Sequence, residues 1–534
     1  MSRPREELLA PAPPAPRPRR AGWPRAELLA YALLTIAALV VRLIALGDRP
    51  FHHDESQDAY FSWIFWTQGD YRYQPILHGP FRFYLTALAY AVFGDTDTTA
   101  RLAPALMGTL MVPLPALLRD QLGRVAAFAA AVALAFGPTY LYFSRFARED
   151  IYVACITLAL IVAIFRFLDR PGPNLPAVIG GLLALSFATK ETTFISVFVG
   201  GSFFLAALAH PRWRRSVLEP VTAVGAGPWL GALAAFAGVF TALFTTFFTH
   251  PAGVWDGLHD GLAYWLGQQP VGRGGEPWYF YVVVLFAEEW PVLLLGAVGA
   301  VVSLRRPTLL RLFLIWSFVV SLAIYSWAGE KFSWLVMHPL LPLILLAGIG
   351  VEAIWAARHR PAGRVALAVA AAGVVYLGVA SWWANAEYGA DPREFLVSTQ
   401  SSVAVKGVRD EVEAAMARAG REGRAARIVI DTADGATFPW AWYFRDLPVS
   451  YLDLTQGAAI PSDADAVIAT EAGRARVRSQ LGGFASSRFP FRVWWVRDYG
   501  AMSPGNWYRW FTRREPWNET GGLPEWLYLR RGNV

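Results

Sequence analysis

The chain has 534 residues, 55% of them hydrophobic and 17% charged, with 23 tryptophans. That balance excludes an ordinary soluble enzyme and describes a polytopic membrane protein, mainly α-helical. The formal charge of +7 is not gathered on one face, because the basic residues sit between apolar runs. They read as membrane-surface anchors rather than a nucleic-acid footprint.

Met1–Arg20 is rich in Pro and Arg, and residues 1–26 are expected to form a disordered basic cytoplasmic tail. The apolar run after it has no convincing small-residue cleavage site beyond Leu46, so it is expected to stay as a membrane span rather than leave as a signal peptide. A spanning helix needs roughly 20 apolar residues. Candidate runs lie at 27–46, 98–118, 125–143, 151–168, 175–189, 193–209, 222–248, 279–303, 308–327, 334–356 and 363–383. They give about eleven spans, the 175–189 run being short. Phe81–Gly94 is apolar but too short to cross and suits a helix lying at the interface. Cys155, the single cysteine, sits in an apolar run, so neither a disulfide framework nor a thiolate metal site is available.

Charge predicts the orientation. Arg119 and Arg124, Arg166 and Arg170, Arg212, Arg214 and Arg215, Arg305, Arg306 and Arg311, and Arg358, Arg360 and Arg364 fall on alternate loops, on the side of the basic N-terminus. The positive-inside rule makes that side cytoplasmic. The opposite loops carry HHDESQD, SRFARED, KETTF, HPAGVWDGLHDG and AGEKFSW. A membrane domain over 27–384, with its first extracytoplasmic loop at 47–97, would then be followed by an extracytoplasmic domain at 385–534. In that domain Arg427–Asp431, Val449–Leu452 and Ala466–Thr470 are β-rich and Val403–Ala419 looks helical, which predicts a small α/β fold. Its tryptophans, Trp440, Trp442, Trp494, Trp495, Trp507 and Trp510, suit core packing and anchoring, with a minority free to stack on sugars. Asn518-Glu519-Thr520 matches a glycosylation sequon, a match common by chance.

Ionisable residues crowded beside a membrane span call for a reason, and Phe51-His52-His53-Asp54-Glu55 is the densest such group. On residues alone, Asp54 and Glu55 equally suit catalysis or the capping of a helix from Ser56. His53, Glu149 and Asp150 are candidates for a metal such as Mg²⁺ or Mn²⁺, or for an acceptor, although consecutive residues seldom face one ion and a helical zinc pair is absent. His259 and Asp260 read as a solvated loop, and His338 as an interfacial histidine.

From Asp54 the chain reads DESQDAYFSWIFWTQGDYRYQPILHGPFRFYLTALAYAVFGDTDTTARLAPALMG. This resembles the first external loop of GT-C membrane glycosyltransferases, in the branch of protein O-mannosyltransferases and lipid A aminoarabinose transferases. Phe143–Asp150 (FSRFARED), Ala188–Phe194 (ATKETTF) and Gly329–Pro342 (GEKFSWLVMHPLLP) are similar to a bacterial and archaeal family named for flippase association. The resemblance covers roughly residues 27–360. It implies a GT-C fold and transfer of a sugar from a polyprenyl-phosphate donor at the outer membrane face to a glycan, lipid or protein acceptor, with inversion. Asp54 matches the family's catalytic acid and would be the general base, a role typically worth ~10²–10⁴-fold. Glu55 would orient Asp54, bind the acceptor or tune the pKa of Asp54.

A departing lipid phosphate gains charge, so nearby cations lower the barrier. Arg72, Arg82, Arg145, Arg148, Lys190 and Lys331 are candidates, and His78 stands where relatives carry a lysine. That replacement shifts the expected role toward Arg148 and Lys331. The rival readings are a transporter or flippase for lipid-linked sugars and a silent scaffold. Few ionisable residues lie at mid-span depth and no inverted repeat is visible, which weighs against transport.

Overall fold

A computed structural model describes residues 23–69, 71–268 and 271–531. The basic tail up to residue 22 lies outside the described residues.

Each predicted apolar run coincides with a helix, but the expected count of about eleven spans is not met. Among the described residues, eight helices are long and apolar enough to cross a membrane, and ten if two bent pairs each count once. The physical reasons are local. Leu175–Phe187 has 13 residues and is too short to cross alone. Arg124–Phe136 and Pro138–Ser144 meet at a 52° bend, where Pro138 cannot supply the amide the helix needs. Thr193–Ala209 turns by 112° into Pro211–Ala223 at His210-Pro211. Phe81–Phe93 is a short apolar helix, as its length predicts.

Ser333–Ala356 is the central span, with 89% of its apolar window buried, whereas Arg25–Leu43 and Gly227–Phe244 keep 22% and 17% buried and lie at the periphery. Phe280–Arg305 packs along the central span at backbone distance. A Cβ on Gly299 would stand 1.8 Å from the Leu346 carbonyl, so only glycine fits there.

Residues after the last span form a six-stranded sheet. Its strands are β1 (Gln400–Ser401), β2 (Arg427–Asp431), β3 (Val449–Leu452), β4 (Ala464–Thr470), β5 (Phe484–Trp494) and β6 (Gly521–Arg530), in the order β1-β5-β6-β4-β2-β3. β2 pairs in parallel with β3 and β4, and the other pairings are antiparallel. The helix Ala404–Arg421 buries Val405, Val408, Val412 and Ala415 at helical spacing against the sheet. Trp440, Trp442, Trp495 and Trp510 are core residues.

This domain is fused to the loop that follows the first span. Phe51, Ala59 and Tyr90 share one apolar core with Val405, Trp440 and Trp442. The Tyr443 hydroxyl accepts from the Phe51 amide at 3.0 Å, Trp442 donates to Asp97 at 2.8 Å, and Arg445 pairs with Asp95 at 3.0 Å. The sheet domain therefore buttresses the segment that carries Asp54.

Candidate active site

The helix His53–Gln68 starts at a reciprocal cap. The His52 imidazole accepts the Asp54 amide at 3.0 Å, while the Glu55 carboxylate accepts the His52 amide at 3.0 Å. Both acids sit in the first turn, where the helix dipole favours negative charge. Successive helical side chains point about 100° apart, so the two carboxylates diverge.

Glu55 turns inward. It is fully buried, takes two hydrogen bonds from Arg101 at 2.7 and 2.8 Å, and accepts the Ala147 amide at 2.8 Å. Burial alone would raise its pKa, but Arg101 and Arg49 outweigh it and hold the carboxyl down at about 2. Asp54 turns the other way, keeps 34% of its side chain exposed, and pairs with Arg148 at the rim of a cavity of about 330 Å³.

Three connected acids and three cations line or back that cavity. Glu149, fully buried, receives Arg82 at 2.5 Å, Lys190 at 2.8 Å and Arg148 at 3.0 Å. Burial would raise its pKa, and the surrounding cations drive it well below the usual carboxylate range. Lys190 also donates to Asp150 at 2.8 Å, and Arg82 to Asp58 at 2.5 Å. Asp58 goes the opposite way: burial and the nearby Glu149 push it well above the usual range, against the pull of Arg82. Arg148 lies over the Trp334 ring at 4.1 Å, which fixes the guanidinium plane.

Backbone contact brings His78 to the same wall. A Cβ on Gly79 would meet the Ala188 carbonyl at 2.2 Å, so glycine lets the His78–Pro80 turn dock on residues 188–189. His78 then bonds Glu191 at 2.7 Å and stands 3.5 Å from Glu149. Burial lowers its pKa, but these acids more than reverse the effect and raise it.

The predicted residues thus divide. Asp54, His78, Arg82, Arg148, Glu149 and Lys190 line the cavity together, with Asp150 directly behind Lys190. Arg145 does not join them: it donates to the Val41 carbonyl at 2.7 Å and also to Ala45. Lys331 is not in the lining either, since its ammonium is turned onto the Ala328 carbonyl at 2.5 Å. His53 faces the sheet domain, where Arg492 reaches its ring at 2.8 Å. Burial and then Arg492 hold His53 down at about 4.

No group of three His, Cys, Asp or Glu able to hold a metal exists among the described residues. His53 is engaged by Arg492, and Glu149 and Asp150 by Arg82, Arg148 and Lys190. This donor set does not fit Mg²⁺ or Mn²⁺.

Residues that the sequence did not mark as site candidates also contribute. Asp58 and Glu191 line the cavity, as does Arg273, whose strand-like pairing with residues 329–331 carries a further cation to the rim. Asp58 lies one helical turn after Asp54, a spacing that puts both on one face. Arg273 had no local signal, because its position depends on a pairing distant in sequence.

The comparisons agree with this architecture. Residues 77–244 match the family model for dolichyl-phosphate-mannose-protein mannosyltransferase. A polyprenol-phosphate-mannose–protein mannosyltransferase of Corynebacterium glutamicum is 30% identical over 175 residues, covering 30% of this chain and 32% of that protein. The chain therefore spans about a third of the length of this curated relative. ArnT of Cupriavidus metallidurans superposes with a TM-score of 0.57 in the apo state and 0.55 bound to undecaprenyl phosphate, at 16% identity. The apo comparison covers 95% of this chain and 98% of that one. The Archaeoglobus fulgidus oligosaccharyltransferase superposes with a TM-score of 0.53 at 14% identity, covering 78% and 59% of the two chains. The chain thus has the membrane fold of these structures, and its segment through the site is similar to protein mannosyltransferases.

Proposed function

We propose that this protein transfers a sugar from a polyprenyl-phosphate donor to an acceptor hydroxyl at the extracytoplasmic membrane face, with Asp54 as general base and inversion at the anomeric carbon. The observation that carries the reading is the convergence of one partly exposed carboxylate, Asp54, with Arg148, Lys190 and Arg82 on a single cavity.

The chemistry follows from donor capacity. Lys190 has three N–H groups and spends two on Glu149 and Asp150. Arg148 has five, shared between Asp54 and Glu149. Both retain donors for a phosphate oxygen, and their acids hold them in place before the donor arrives. A phosphate drawn to Arg148 competes with Asp54 for the guanidinium and frees that carboxylate to take the acceptor proton. Acceptor attack opposite the phosphate inverts the anomeric centre, and the cations stabilise the leaving lipid phosphate. Support comes from the matched mannosyltransferase segment and from the ArnT structure that holds undecaprenyl phosphate.

The test is a reconstitution. Purified protein in liposomes, given labelled polyprenyl-phosphate sugars and mixed acceptors, is expected to form a labelled acceptor. Movement of labelled lipid between leaflets without transfer would replace the enzyme reading with the transporter.

A further inference from the structure

The sheet domain carries a second cavity, of about 370 Å³, which the transfer chemistry does not use. Asp434, Thr470, Glu471 and Glu525 supply its polar wall, and Phe491, Leu523 and Pro524 its apolar one. It opens where the parallel strands β2 and β4 end, the usual crevice for ligands in α/β sheets.

Glu525 is the informative residue. It is only 1% exposed, and the Trp440 indole donates to one of its oxygens at 3.0 Å. Its other oxygen, Oε1, has no hydrogen-bond partner among the described residues although the side chain lines the cavity. A buried carboxyl oxygen left unmatched costs stability, so a ligand group that satisfies it gains correspondingly.

The lining also restricts the ligand. No Lys, Arg or His lines this cavity among the described residues, so it does not suit phosphate or a carboxylate. A cationic amine would need free anions inside the cavity, and Asp434 stands exposed, where solvent screens its charge. Glu471 is already committed to Trp526 at 2.6 Å and Arg474 at 2.8 Å. Burial pushes the Glu525 carboxyl up to about 8, which leaves it uncharged at neutral pH. What remains is a set of oxygen donors and acceptors beside an apolar wall, the complement of a sugar ring with its hydroxyl edge and C–H face.

We propose that this cavity, built on Glu525, Asp434 and Phe491, is a binding site for an uncharged saccharide. A physical link joins it to the membrane site. Arg492 holds the Asp434–Phe438 loop by donating to the Gly435 and Phe438 carbonyls at 2.6 and 3.1 Å, and the same nitrogen reaches His53, the neighbour of Asp54. Its role as a docking point for a glycan acceptor rests on the transferase reading; saccharide binding itself does not.

The experiment uses the full chain in nanodiscs and saturation-transfer NMR with mannose, methyl glucoside and maltose. Glucose 6-phosphate and putrescine serve as charged probes. Asp434 is exposed and Leu523 is 38% exposed, so Asp434→Ala and Leu523→Trp alter the cavity without opening the core. At least one neutral saccharide is expected to bind saturably, at least tenfold more weakly in both variants, and equally well in Asp54→Asn. No saturable saccharide binding, equal affinity in both variants, or preference for either charged probe overturns the proposal. If saccharide binding maps to this cavity but no transfer is ever seen, this inference stands and the transferase reading falls.

Discussion

Replacing Glu55 with glutamine separates scaffold from chemistry in the adjacent acids. Glu55 is fully buried against an Arg101 that is itself 0% exposed. Its carboxyl, held at about 2 against an ordinary 4.5, corresponds to about 3 kcal/mol of favourable interaction. Because the folded-state value is depressed, that stability is present above about pH 4.5 and is lost as pH falls toward about 2. Glu55→Gln keeps the shape but leaves Arg101 buried without a counter-charge, at a cost of about 3–5 kcal/mol. Asp54→Asn, in a pair whose acid is 34% exposed, is expected to cost about 1 kcal/mol or less. Thermal unfolding in nanodiscs, followed by tryptophan fluorescence at pH 7, reads both. A large drop in midpoint for Glu55→Gln beside a small one for Asp54→Asn is expected. Wild-type stability in Glu55→Gln, with transfer lost, would instead make Glu55 a chemical participant.

Arg148→Ala and Lys190→Met should each weaken inhibition by free polyprenyl phosphate by at least tenfold, since each removes a charged donor worth roughly 1.5–3 kcal/mol; unchanged inhibition would remove that residue from the phosphate site. His78 has a raised pKa, so its positive charge is full below about 6.5 and is lost as pH rises through the higher folded-state value. Donor affinity in wild type should therefore fall above neutrality, and His78→Gln should flatten that fall when binding is titrated between pH 6 and 9. Transfer should persist in EDTA at the wild-type rate, because the acids near Asp54 are engaged by cations; loss restored by Mg²⁺ or Mn²⁺ would contradict that.

The membrane spans were legible because a helix in lipid must advertise itself as an apolar run. What composition could not show was where such runs bend. Gly137-Pro138 and His210-Pro211 change direction through local backbone chemistry that a hydropathy pattern averages away. In the sheet domain, β2 to β4 stood out as short branched runs. β5 and β6 contain Pro490 and Pro524, which mask their strand character.

At the site, Asp54, Arg148 and Lys190 were visible as charges in loops on the same predicted side. Their convergence is tertiary. The burial of Glu55 depends on Arg101, a residue of the Ala100-Arg101-Leu102 run that charge alone did not single out. Arg145 and Lys331 show the converse. Each had the right charge on the right loop, and each is turned onto backbone carbonyls. Arg492, 439 residues from the His53 it contacts, had no sequence signal at all.

Removal of the acceptor proton by Asp54 is tested by comparing wild type with Asp54→Asn in nanodiscs supplied with labelled polyprenyl-phosphate sugar. Transfer by wild type, lost by at least 10²-fold in Asp54→Asn while donor binding persists, is the predicted result. Transfer by Asp54→Asn at the wild-type rate would show that Asp54 is not the base.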